Sequence, residues 1–230
     1  MASFWRLLER LAVAVTLCAL AVSVGVAVLT APWFTKVLNA RLDVASSAGL
    51  SAPEAASTAE LVRRFVTTRG APPLPTTVAG RSGFDAAATS HLEDVRDVVL
   101  ASRIVAIVLA LAISAWLAIA VYRRRFADVA SALRWGAYAC FVAPMVVAAA
   151  GLVDFDALFA AFHGLFFIEG TWTFAADSLL IELFPESFWI AAGASLALLV
   201  VLQGVLLWTV GRFVAGHERH RGQRLEEAGA

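Results

Sequence analysis

Charge is what this sequence has least of. Only 16% of its 230 residues are charged, against roughly 25% in an ordinary soluble domain. Acids and bases balance at 18 each, so no net basic field points to nucleic acid, and no nucleic-acid partner is expected. Cysteine is nearly absent: Cys18 and Cys140 both fall inside apolar runs, which excludes a disulfide-stapled framework. Cys18 follows Thr16-Leu17 without the small residue that precedes a lipoprotein's modified cysteine, so the chain is not expected to be lipidated itself. The familiar catalytic signatures are missing as well. There is no G-x-S-x-G elbow, no P-loop, no GxGxxG opening a helix and no H-E-x-x-H. No inverted repeat supports a secondary transporter. What is present is 60% apolar residues, 10% aromatics and a mean hydropathy of +0.79. These are the proportions of a membrane protein.

A transmembrane helix needs about 20 mostly apolar residues, and four stretches qualify: 11–35, 98–122, 135–153 and 187–211. A secretory signal is the competing reading of the first. Its apolar run exceeds the usual 7–15 residues and no A-x-A site follows, which predicts an uncleaved helix. Basic residues orient the set. Arg6, Arg10, Arg123, Arg124, Arg125, Arg134, Arg212, Arg219, Arg221 and Arg224 lie in the N-terminus (1–10), the 123–134 loop and the tail (212–230). Residues 135–211 contain no Lys or Arg, and six acids occupy 154–186. The expectation is an all-α membrane protein with four transmembrane helices and both termini cytoplasmic. Residues 36–97 then form an extracytoplasmic loop domain, and 154–186 an extracytoplasmic segment that includes an interfacial amphipathic helix.

Within the first outer loop, residues 36–70 read as helical, with an amphipathic run from Ala59 to Val66. Residues 71–83 are turn-rich, with Thr76-Thr77-Val78 as a short strand. Ser90 and Glu93 have the capping-box spacing, which predicts a helix with His91 at its first position, running into the second span. His91 then stands seven residues before Val98, about 10 Å above the apolar run. In the second outer loop Phe155, Phe159, Phe162 and Phe166 recur at i, i+4, i+7 and i+11, a helical aromatic stripe suited to the membrane interface. His163 lies beside it, and Gly170 is expected to end the helix. An interfacial belt is the plain reading of these phenylalanines.

Of the four histidines, His217 and His220 sit in the polar tail and read as solvated. His91 and His163 fall on the same outer face, where imidazole can accept and donate protons near neutral pH. At a helix start the dipole disfavours the His91 imidazolium, while Glu93 and Asp94 favour it. The spacing of these groups matches no zinc motif.

The run Phe162-His163-Gly164-Leu165-Phe166-Phe167, then Gly170-x-Trp172-x-Phe174, then Asp177-x-Leu179-x-Ile181-x-Leu183-Phe184-Pro185-Glu186-x-Phe188-Trp189, resembles the bacterial lipoprotein intramolecular transacylase family. The segment Ser90-His91-Leu92-Glu93-Asp94-Val95 resembles that family's histidine-bearing segment before the second span. The likeness extends over essentially the whole chain, although the Ala/Pro-rich first outer loop shows no detailed match. The resemblance implies an enzyme that moves the sn-2 acyl chain of a diacylglyceryl-cysteine lipoprotein to its N-terminal amine, giving lyso-form lipoprotein. It implies His91 and His163 as the catalytic pair, without order between them, and no metal or organic cofactor. It also implies Phe155, Phe159, Phe162, Phe166 and Trp172 around the acyl chains, with Glu169 or Asp177 as supporting groups. The partners would be a diacylated lipoprotein and membrane lipid, and the sequence assigns no oligomeric state. Two other readings remain beside it: a non-catalytic membrane subunit of a transporter and a metal-dependent membrane hydrolase.

Overall fold

A computed structural model describes the backbone of residues 2–229 and the side chains of residues 4–217. His220 and the tail arginines Arg219, Arg221 and Arg224 lie outside the described side chains. His217 is exposed. Helix α1 covers Ala2–Leu29, α2 Pro32–Arg41, α3 Val44–Ser47 and α4 Ala52–Thr67. A two-stranded antiparallel hairpin follows, β1 Thr77–Val78 and β2 Arg81–Ser82. Then come α5 Ala86–Tyr122, α6 Phe126–Val153, α7 Phe155–Gly164, α8 Leu179–Leu183 and α9 Glu186–Gly229. Four of these helices, α1, α5, α6 and α9, are long and apolar enough to cross a membrane.

The chain divides into two compact units, one formed by residues 1–25, 105–148 and 197–230, the other by 26–104 and 149–196. In the first unit the core is made of Val13, Leu17 and Ala132 with Ile113, Trp116, Leu133 and Leu207 against it. Small residues let these helices approach closely. A Cβ on Gly204 would stand 2.8 Å from the Phe141 ring and 2.9 Å from Cys140 Cβ, so only glycine fits there. Charged groups are tied together. Glu9 accepts from Trp116 Nε1 at 2.8 Å and from Arg125 at 2.7 Å, and Asp128 accepts from Arg10 and Arg125 at 2.9 Å each. Gln203 Nε2 donates to the Ala21 carbonyl at 3.0 Å.

The second unit has a conventional apolar core. Val44, Leu50, Val62, Phe65, Phe84, Leu92, Leu179 and Leu183 are among its buried members. The expected Ala59–Val66 amphipathic helix is the middle of α4, which presents Ala59, Val62 and Phe65 inward. A complete capping box starts α4: the Ser51 N–H donates to Glu54 and the Glu54 N–H to the Ser51 hydroxyl. The expected strand at 76–78 is β1, and Ala79 and Gly80 turn it with φ +49° and +79°, the signs a type I′ hairpin demands.

Three boundaries differ from expectation. The first span ends at Leu29 rather than near residue 35. Pro32 has no N–H to continue the ladder and keeps Ala31 extended (φ −72°, ψ 145°), as a residue before proline prefers. Helix α5 begins at Ala86, not at His91, because Asp85 accepts from the Ala88 N–H at 2.7 Å and three alanines follow it. Ser90 and Glu93 are therefore interior, and His91 is the sixth residue of the helix. Helix α7 ends at Gly164, so the aromatic stripe keeps Phe155, Phe159 and Phe162 but leaves Phe166 in the following turn.

Candidate functional site

The second unit brings His91 and His163 together. Their rings stack with centroids 6.2 Å apart and planes inclined by 27°. Each residue is only 8% exposed, which is low for a polar ring and sets both apart from His217. His91 is placed by α5, where Ala88 and Leu92 on either side of it anchor in the apolar core. His163 is placed by the last turn of α7. Asp154 caps that helix by accepting from the Ala157 N–H at 2.9 Å. The His163 carbonyl then closes it by accepting from the N–H groups of Phe166 and Phe167 at 3.0 and 2.8 Å.

His163 Nδ1 lies 2.8 Å from the carbonyl oxygen of Phe159, one helical turn earlier. A carbonyl can only accept, so Nδ1 carries the hydrogen. In the neutral ring the basic lone pair is therefore on Nε2. Burial lowers the pKa of His163, opposed by the Phe159 carbonyl, which favours the charged form. His91 lies outside the apolar span, and its pKa is also lowered. Burial is the main cause, the neighbouring His163 the second, and Asp94 opposes both. The opposition between helix dipole and carboxylates expected from sequence is thus decided mainly by desolvation. Both shifts favour the neutral ring.

Aromatic rings enclose the pair. Phe159 stacks against His163 at 4.0 Å and Trp172 at 4.7 Å, while the Phe162 ring is 5.6 Å away. Phe155 reaches the site through Phe159, at 5.9 Å, and Phe166 through Phe162, at 5.3 Å, and Phe167, at 6.2 Å. Gly170 (φ +84°) makes Trp172's approach geometrically accessible. It reverses the chain in the left-handed region, with the Thr171 N–H returning to the Ile168 carbonyl, a conformation that costs an L side chain about 1–2 kcal/mol. Phe167 and Phe174, with ring centroids 5.0 and 5.5 Å from His91, were not singled out by the helical stripe. Their adjacency to His163 and to Trp172 in sequence was the available signal. Glu169 and Asp177 are exposed, and no described hydrogen bond or ion pair joins either side chain to a histidine.

Two polar groups in this enclosure are buried without any hydrogen-bond partner among the described residues: His91 Nδ1 and Trp172 Nε1. A buried polar group in that state costs about 1–3 kcal/mol, and such groups concentrate where a ligand or catalysis compensates. An open cleft of about 350 Å³ lies alongside, lined by Asp94, Asp97, Val98, Ala101, Phe166, Phe167 and Ile168. It is polar at the Asp94–Asp97 end and apolar elsewhere. The site therefore combines a buried imidazole with a defined lone pair, unpaired polar nitrogens beside it, and an amphiphilic groove. That combination can move a proton at an ester or amide carbonyl whose substituents are hydrocarbon. Among the described residues no three His, Cys, Asp or Glu side chains gather as a metal site.

No curated protein matches the chain by sequence. Solved structures do match by fold, among them forms of the membrane integral lipoprotein intramolecular transacylase Lit from Bacillus cereus. One superposes with a TM-score of 0.77 at 16% identity, covering 95% of this chain and 99% of the other. A form of that protein with a histidine replaced by arginine gives 0.78 at 16% identity, covering 96% of each chain. A form with a histidine replaced by alanine gives 0.77 at 14%, covering 95% of this chain and 97% of that one. At such identities the likeness concerns the fold. A family model described as lipoprotein intramolecular transacylase Lit matches residues 10–189, a stretch that holds both histidines and the whole aromatic enclosure, and the chain belongs to that family.

Proposed function

We propose that this enzyme transfers the sn-2 acyl chain of an S-diacylglyceryl cysteine to the α-amine of the same cysteine, leaving an N-acyl, S-monoacylglyceryl lipoprotein. The observation that carries the reading is the Nδ1–H bond from His163 to the Phe159 carbonyl at 2.8 Å, which leaves the Nε2 lone pair as the one oriented base of the histidine pair. Donor and acceptor belong to one molecule, so much of the entropy of bringing them together is already absent. What remains is proton management and stabilisation of developing charge.

The α-amine has a pKa near 8 and reaches the reacting form by losing a proton to solvent. The neutral nitrogen then attacks the ester carbonyl and a C–N bond forms. His163 Nε2 accepts the proton that this nitrogen must shed. It returns that proton to the sn-2 oxygen as the C–O bond breaks, so the ring ends neutral. His91, beside it and neutral, polarises the carbonyl through a ring N–H. Phe159, Phe162 and Phe167 with Trp172 exclude water, which would otherwise compete with the amine for the ester. Phe166, Val98, Ala101 and Ile168 offer an apolar wall for the acyl chains, and Phe155 buttresses Phe159. The acid-lined end of the cleft suits the amine in its charged, arriving form.

The asymmetry of the arginines supports a multi-pass topology with both termini cytoplasmic and the histidines at the outer leaflet. The spans 11–29, 98–122, 135–153 and 187–211 would then carry 36–97 and 154–186 to the outside. Mass spectrometry of a diacylated lipoprotein's N-terminus, after incubation with the purified protein in lipid, tests the reading. The expected product keeps the mass but carries its amide-linked acyl chain on nitrogen. His91→Ala and His163→Ala should each abolish it in protein that still inserts. Full product from both variants would overturn the assignment.

A further inference from the structure

We propose that the indole N–H of Trp172 is a catalytic hydrogen-bond donor to the ester oxygen that becomes the oxyanion. The inference rests on the transacylase reading and adds a third reacting-centre residue to it. Acyl transfer builds negative charge on the carbonyl oxygen as the tetrahedral intermediate forms, and preorganised donors in a dry site stabilise it most. The donor inventory around His163 is short. His163 spends its own Nδ1–H on the Phe159 carbonyl and needs Nε2 free as a base, so it cannot serve. The groups left are His91 and Trp172, and each has a buried nitrogen without a partner.

Trp172 is the better-defined donor of the two. Its ring centroid is 4.7 Å from that of His163, nearer than His91 at 6.2 Å. Indole Nε1 is a donor only, so whatever satisfies it must be an acceptor. It carries no ionisation in the working pH range, so it donates at every pH. Two other tryptophan N–H groups in the protein are used within the chain. Trp116 gives its N–H to Glu9 at 2.8 Å, and Trp189 gives its own to the Phe184 carbonyl at 3.0 Å. In contrast, Trp172 sits at the base with its donor unused. Entry of an acyl glycerol past the exposed rings of Phe162 and Phe166 brings an ester oxygen to it. No extra reactant enters the step. The oxyanion accepts the N–H bond while the C–N bond forms, and the bond relaxes when the C–O bond breaks.

The test removes the N–H while keeping the ring. Trp172 is replaced by β-(3-benzothienyl)alanine, which has sulfur in place of the N–H, and in parallel by Trp172→Phe. Transacylation is then followed by mass spectrometry from pH 6 to 8. The benzothienyl form is expected to lose about 10²- to 10³-fold in kcat with KM nearly unchanged. The fractional loss should be equal at every pH, because the histidine base is untouched. Trp172→Phe should lose at least as much. The proposal is overturned if the benzothienyl form keeps its rate within a few-fold. It is overturned equally if the loss is confined to KM, or if it changes with pH in the manner of a displaced histidine. Absence of lyso-form product from the unaltered protein would overturn the transacylase reading itself, and is seen before any variant is made.

Discussion

The two units treat the same chemical group in opposite ways. In the unit of residues 1–25, 105–148 and 197–230, the indole N–H of Trp116 is donated to Glu9, which also binds Arg125. In the unit of residues 26–104 and 149–196, the indole N–H of Trp172 is buried and unpaired, as is one nitrogen of His91. The first arrangement gives the indole N–H and the Glu9 carboxylate partners within the chain, so these groups serve the fold. The second leaves polar capacity unfilled at a cost that the fold must carry, which is the pattern of a site shaped for something else. Mutations that separate stability from activity should therefore sort by unit.

The largest expected effect is on chemistry. His163→Ala removes the proposed base and should lower lyso-form production by about 10²- to 10⁴-fold. The thermal midpoint in detergent should change little, since a ring with one backbone hydrogen bond is a small part of that unit's core. A rate within tenfold of the unaltered enzyme would break the comparison, because the unfilled polar groups would then have no catalytic meaning.

Glu9→Ala is the complementary case. It deprives both the Trp116 N–H and Arg125 of an acceptor in a half-buried setting, at an expected cost of about 1–3 kcal/mol. Unfolding should shift accordingly in a thermal or denaturant titration. Lyso-form production per folded molecule should stay at its original rate. A selective loss of activity at unchanged stability would show that the ion cluster is not merely structural.

How much of this could be read beforehand differs between the units in the same way. The four apolar runs were legible because a span needs only length and hydropathy. The histidine pair was legible because the chain around His163 carries a recognisable motif. The ends of elements were not. Ser90 and Glu93 have the spacing of a capping box, but Asp85 followed by Ala86-Ala87-Ala88 is a better start, and the earlier cap won. The stripe through Phe166 kept helical period past Gly164, yet the chain turned there, and periodicity alone does not register a turn. The cluster of Glu9, Arg10, Trp116, Arg125 and Asp128 joins residues more than a hundred positions apart, a pairing that no local pattern contains. The tautomer of His163 depends on one backbone carbonyl brought within 2.8 Å, which composition cannot announce.

Acid should weaken the second unit first. Both histidines have pKa values below the ordinary 6.5, chiefly through burial, so the unfolded chain binds protons that the folded one resists. Stability is then complete above about pH 6.5 and falls as pH drops from there through the lowered folded-state values. Glu60 is pulled down to about 2 by its bond to Arg63. Its contribution fades only below about pH 4.5, leaving the interval from 6.5 to 5 to the histidines. Thermal midpoints measured across that interval should decline, and the decline should shrink in His163→Gln. Nitrogen NMR of labelled imidazoles should show His163 neutral at pH 7 with hydrogen on Nδ1. The opposite tautomer would remove the basis for calling Nε2 the base.

The smallest effect expected is at Ser51, and it measures how tightly the second unit is coupled to its site. Ser51→Ala deletes the hydroxyl that accepts from the Glu54 N–H but leaves the Ser51 N–H donating to Glu54 at 2.9 Å. The loss should be at the low end for a helix cap, about 0.5–1 kcal/mol. Helix α4 nevertheless supplies Phe65 to the core, and the Arg96 guanidinium of α5 lies over that ring at 4.9 Å, on the helix that carries His91. If the unit is rigid, the first turn of α4 frays locally and the histidine pair does not notice, so lyso-form production stays unchanged while hydrogen exchange quickens only in residues 51–55. A fall in activity larger than the fall in stability would mean that α4 sets the position of α5. The unfilled nitrogens around His163 would then be a property of the whole unit rather than of one aromatic enclosure.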